Sequence, residues 1–140
     1  MSPIDSNDGQ TATNAATNFV LFDLRALTQF DTRQPRVVTL TETGAARLLL
    51  ISFRAGQSLP AHELASEASV QALRGRVRLS VGASSAELIA GRLAQIEAQT
   101  PYRLHALTDA VALLSLTPSP GEAALGEHLL GDARPLVTRA

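Results

Sequence analysis

The side chains with which this chain could do chemistry are few: three histidines, two glutamates near the first of them, one tyrosine and a short series of arginines. His62 is followed by Glu63 and, further on, by Glu67, and imidazole nitrogens with carboxylate oxygens are ordinary donors to a divalent ion. Parity along an extended segment turns Glu63 to the face opposite His62, so Glu63 reads as a solvated carboxylate. Tyr102 and His105 stand an odd number of positions apart in a strand-like stretch, which sends His105 to the other face as a surface or interface residue. His128 falls near the end of a helical tail, where a cation is favoured. Arg74, Arg76 and Arg78 alternate like residues on one face of a strand, a row able to bind an anion or a carboxylate of another subunit, with a solvated face as the plain alternative. Ser84-Ser85 lacks a His–Asp partner or a nucleophile elbow and is assigned to a hairpin turn. No cysteine is present, which removes thiolate nucleophiles, thiolate zinc sites, iron–sulfur clusters and CxxC redox pairs.

The elements that must position these side chains are β-strands. A chain of 140 residues, 45% hydrophobic and 18% charged, is enough for one core and too short for two ordinary domains. Residues 1–18 are Thr, Asn, Ala, Ser and Asp with hardly a large apolar side chain, and are expected to form a disordered tail. From Phe19 to about Thr117 short apolar runs alternate with Gly, Pro, Asn or Asp breaks, which predicts strands at 36–41, 46–54, 58–62, 70–73, 76–81, 86–90, 93–97, 102–107 and 110–116. Val77, Leu79 and Val81 share one face, with Arg76, Arg78 and Ser80 on the other. Gly44, Gly56, Gly75, Gly82 and Gly91 fall between runs, as hairpin corners would require. After Thr117, Ser119-Pro120-Gly121-Glu122 offers an N-cap, a Pro at N1 and a Glu at N3 for a short helix ending near Gly131, with Leu125 and Leu129 on its apolar side. The expected domains are therefore a tail at 1–18, a barrel at 19–117 and a C-terminal tail with a short helix at 118–140.

The charge balance, 12 basic against 13 acidic residues, offers no general attraction to phosphate backbones or anionic lipid, so neither nucleic acid nor membrane is an expected partner. The longest apolar run, near Leu48-Leu49-Leu50-Ile51, is far too short to span a bilayer as a helix. The first nine residues carry no basic or apolar stretch of a secretory signal, and a cytoplasmic location is expected.

The segment Gly56-Gln57-Ser58-Leu59-Pro60-Ala61-His62-Glu63-Leu64, with Gly75 and Gly91 beyond it, resembles the cupin family across roughly residues 23–117. That resemblance implies an all-β double-stranded β-helix, the cupin jelly-roll barrel, here with a short C-terminal helix. Motif one of the family, G-x5-H-x-H-x3,4-E-x6-G, is matched at Gly56, His62 and Gly75. Motif two, G-x5-P-x-G-x2-H-x3-N, is matched at Gly91, while Glu97, Gln99, Tyr102 and Ala106 stand at its Pro, Gly, His and Asn. In cupin enzymes two His, the Glu and the motif-two His bind a divalent metal. Leu64 stands here for the second His, Ala68 (or Ser69, at the longer spacing) for the Glu and Tyr102 for the last His.

The resemblance implies that positions 62, 64, 68 and 102 point into one cavity, lined by His62, Leu64, Ala68, Val70 and Tyr102, with His62 and Tyr102 facing one another where the metal would be. A phenol and an imidazole there either satisfy each other as a buried pair or orient a ligand in a mainly apolar pocket. The leading expectation is a non-metallo small-molecule-binding barrel with no cofactor and no catalytic residue, pairing as a homodimer through the 19–24 run or the Leu125/Leu129 side. One alternative is a metal-dependent enzyme, a dioxygenase or isomerase, with His62, Glu67 turned inward by a bulge, and Tyr102 as ligands. Another is a regulatory barrel that displays the arginine row or the tail helix to a protein partner.

Overall fold

The computed structural model describes residues 18–121 and Leu125, with His62 described as backbone. The expected 1–18 tail and the stretch bearing Leu129, His128 and Gly131 lie outside the described residues, Asn18 apart.

All nine expected strands are present: β1 (Arg36–Glu42), β2 (Arg47–Phe53), β3 (Ser58–His62), β4 (Glu67–Arg74), β5 (Val77–Val81), β6 (Ser84–Leu88), β7 (Leu93–Ile96), β8 (Tyr102–Ala106) and β9 (Ala110–Thr117). They form two antiparallel sheets, ordered β1-β2-β9-β4-β7 and β3-β8-β5-β6. Alternation selects the inward set. Leu49, Ile51 and Phe53 of β2, Ala68, Val70 and Ala72 of β4, Tyr102, Leu104 and Ala106 of β8, and Ala112, Leu114 and Leu116 of β9 make one core between the sheets. Each large aliphatic side chain buried there contributes about 1.5–3 kcal/mol.

The apolar run at 48–51 is continuous because the five-stranded sheet is covered on both faces. Val38, Leu40, Leu50 and Val111 on its outer face meet Phe22, Leu24, Leu27 and Phe30 of the N-terminal segment. A four-residue helix, α1 (Leu24–Leu27), was not anticipated; the Asp23 carboxylate accepts from the Ala26 amide at its start. The segment is tied down further where Arg54 and Arg74 both lie over the Phe30 ring, 5.2 and 5.5 Å from its centroid. Phe22 and Leu24 thus serve their own sheet, whereas Phe19, Val20 and Leu21 stay exposed.

Two assignments change. Gly82 and Ala83 form the β5–β6 turn by themselves, with Val81 opposite Ser84 and Gly82 at φ +60°, the positive φ of a two-residue hairpin loop. Ser84 and Ser85 therefore belong to β6. Arg74, Arg76 and Arg78 do not form a row, because the chain crosses between sheets at Gly75: Arg74 ends β4, Arg76 pairs with Glu87 at 2.6 Å, and Arg78 lies in β5.

The β2–β3, β4–β5 and β8–β9 connections meet at one end of the barrel and are bolted together there. The Gly56 amide donates to Ala106, the Ala106 amide to Gln57 and the Leu107 amide to Arg76. The Asp109 carboxylate accepts from the Ala55 amide and from Arg54. Gly75 closes this end: at φ +78°, a Cβ on it would sit 2.1 Å from the Asp109 carbonyl oxygen. No helix among the described residues is long and apolar enough to cross a membrane.

Candidate functional site

Since three strand connections are bolted at one end, the start of β2, the end of β3, the start of β4, the start of β8 and the end of β9 meet at the other. All the sequence-predicted cavity residues are at this second end or just inside it. Tyr102 opens β8 and is 3% exposed; burial pushes its phenol up to about 12. Its register partner in β3 is His62, so the two sit side by side on neighbouring strands. Leu64, Ala68 and Val70 are buried in the same core as Tyr102. On the inner face, register carries one row across the large sheet from Leu116 to Ala68 to Ile96.

The loops around this end are held by single hydrogen bonds. The Gln99 amide donates to the Leu64 carbonyl at 2.7 Å, the Ser66 hydroxyl to the Pro118 carbonyl at 2.6 Å and the Ser119 amide to the Gly44 carbonyl. Gln99 takes φ +63°, the one non-glycine with positive φ among the described residues. It stands where the second motif has glycine, so the backbone keeps the left-handed conformation although the letter has changed. Leu125, helical and 2% exposed, is packed in the barrel core.

Other expected candidates fall elsewhere. Glu63 and Glu67 are both exposed. The β4–β9 ladder is regular from Glu67 through Ala72, and its irregularity comes only between Ala72 and Arg74; no bulge turns Glu67 inward. His105 lies half-buried on the outward side of β8, its Nδ1 2.6 Å from the Ser58 hydroxyl. Among the described residues no three His, Asp or Glu side chains are grouped so as to hold a metal ion. Sequence reasoning passed over one residue at this end, Arg47. It is the first residue of β2, in register with Leu116, and is 6% exposed. Its alternation with Leu49, Ile51 and Phe53 was the signal that could have found it. A separate surface groove of about 440 Å³, lined by Leu21, Phe22, Asp23, Leu24 and Arg25, lies outside the barrel.

No protein-family model matches the chain, and no curated protein matches it. Solved structures do. The protein TT1209 from Thermus thermophilus is 23% identical, with a TM-score of 0.67 over 71% of this chain and 98% of that one. An RmlC-like cupin protein from Desulfovibrio desulfuricans is 23% identical, with a TM-score of 0.62 over 66% and 90%. An uncharacterised conserved protein with a double-stranded β-helix domain from Klebsiella pneumoniae is 13% identical, with a TM-score of 0.65 over 70% and 89%. At these identities the likeness is one of fold.

Proposed function

We propose that this cupin-fold barrel binds a small, mainly apolar molecule at its unbolted end and does so without a metal ion. The observation that carries the reading is the occupancy of three buried positions: Leu64, Ala68 and Tyr102, 5%, 2% and 3% exposed, stand where the cupin resemblance calls for His, Glu and His. Leu and Ala have no lone pair to offer, and a neutral phenol is a poor ligand, so this set does not fit a divalent ion, which needs three or more converging donors. Glu63 and Glu67, the carboxylates nearest His62 in the chain, are exposed. On this reading Leu64, Ala68 and Val70 supply an apolar lining and Tyr102 a polar edge, the usual composition of a small-molecule pocket. A cytoplasmic location fits this reading.

Elemental mass spectrometry of freshly purified protein, beside a His62→Ala variant, tests it. The expected result is no metal above background in either, even after incubation with excess divalent ions. Near-stoichiometric metal that disappears in the variant would overturn the reading in favour of a metalloenzyme.

A homodimer is part of the same proposal, supported by the contiguous exposure of Phe19, Val20 and Leu21, 56–58% each. Light scattering on a sizing column should give twice the monomer mass, and Val20→Asp with Leu21→Asp should return it to the monomer value.

A further inference from the structure

Arg47 is the only charged residue among the described ones that is buried, and it points inward. Along β2 it alternates in phase with Leu49, Ile51 and Phe53, which face the opposing sheet. Register sets it beside Leu116, and Leu116 beside Ala68, so Arg47 begins the row that contains Ala68, one of the residues expected to line the cavity. Because β2 runs from this end to the bolted one and β3 returns, the start of β2 is at the same end of the barrel as the end of β3 and the start of β8, where Tyr102 lies.

The guanidinium is poorly provided for. Its Nη1 donates to the Thr39 hydroxyl over a long 3.4 Å, and its Nε is buried with no hydrogen-bond partner. Its register neighbour Glu42 is exposed and accepts from the Ser119 hydroxyl; the ion pairs described, Arg54–Asp109 and Arg76–Glu87, are elsewhere. A buried cation whose Nε–H has no acceptor is costly unless an anion completes it.

We infer that Arg47 anchors the carboxylate of a small organic acid whose apolar body lies along Leu116, Ala68 and Leu64. The inference rests on the reading that the barrel binds a small molecule, and supplies the chemical class of that molecule. A planar monoanion matches one guanidinium in a bidentate pair. A phosphate dianion would ask for further cations, and every other arginine described is exposed or only half-buried.

The experiment titrates wild-type protein with straight-chain monocarboxylates from acetate to octanoate and with benzoate, each beside the primary alcohol of the same skeleton. Binding is followed by calorimetry and by the Arg47 Nε–H resonance, identified as the signal missing from Arg47→Met. At least one acid should bind about tenfold or more tightly than its alcohol and shift that resonance. In Arg47→Met, which keeps the length and loses the charge, the same acid should weaken to the level of its alcohol while the alcohol is unaffected. Acids and alcohols that bind alike, with the Nε–H signal unmoved, would overturn the role of Arg47 and leave the binding barrel standing. Absence of binding by either series would overturn both. Should Arg47→Met not fold, the wild-type ratio of acid to alcohol and the Nε–H shift decide the matter without it, with Arg47→Lys used to assign the resonance.

Discussion

Tyr102 is the single tyrosine of a chain without tryptophan, so its ionisation can be followed alone by absorbance at the tyrosinate band. Burial disfavours the phenolate, and the native midpoint is expected at about 12, against about 10 in denaturant. The native state then holds a proton that the unfolded chain releases. Stability is therefore complete below pH 10 and falls as pH rises from 10 through about 12, by roughly 2–3 kcal/mol in all. A native titration midpoint near 10 would contradict this. At this scale the sequence was informative wherever a letter and its environment agree: Leu64, Ala68, Val70 and Tyr102 are apolar or aromatic letters and are buried. It was mute where they part. Arg47 carries the charge of a surface residue in a core phase of β2, and Gln99 keeps the positive φ of the glycine it replaces; the letters mark both positions as departures, but not that one is buried and the other left-handed.

Strands and turns were legible where a two-residue period and a punctuating glycine coincide, as in β5 between Gly75 and Gly82. The limits moved where pairing outran the apolar signal. β4 begins at Glu67 rather than at Val70, since Glu67, Ala68 and Ser69 find partners in Thr117, Leu116 and Ser115 although their side chains are small or polar. β6 starts at Ser84 because the turn before it needs only two residues. The apparent arginine row failed for the opposite reason: an alternation was read through Gly75, where the chain changes sheets. That glycine supports a sharp comparison. Gly75→Ala drives a Cβ into the Asp109 carbonyl oxygen at the crossing between the sheets and should cost about 3–5 kcal/mol. Gly91→Ala, at φ +95° with nothing within 4 Å of the new Cβ, bears only backbone strain of about 1–2 kcal/mol. Urea unfolding of the two variants should separate them clearly, and equal losses would mean that the crossing can yield.

For the molecule as a whole, the core between the sheets is not completed by the nine strands alone, since Leu125 belongs to it. Leu125→Ala should lower stability by about 2–4 kcal/mol in thermal or urea unfolding, the cost of a buried leucine truncated in a packed core; a loss within about 0.5 kcal/mol would show that it contributes little there. The expected helix was suggested by its capping letters, but that its leucine would enter the barrel core could not be read from a tail whose periodicity spans barely two turns. The outer face of the five-stranded sheet is likewise covered by a segment whose letters, Phe22 to Phe30, announced only that they must be buried somewhere. The distribution of fastenings has a further consequence. Gly75, Asp109 and the crossed amides of residues 55–57 and 106–107 staple the two sheets at one pole, while the opposite pole is held by isolated loop contacts. Leu64 and Ala68, at the loose pole, take no part in the staple, so a change there alters the core locally without undoing it. Under the proposed binding, one unchanged frame would acquire a series of guests by substitution at that pole alone.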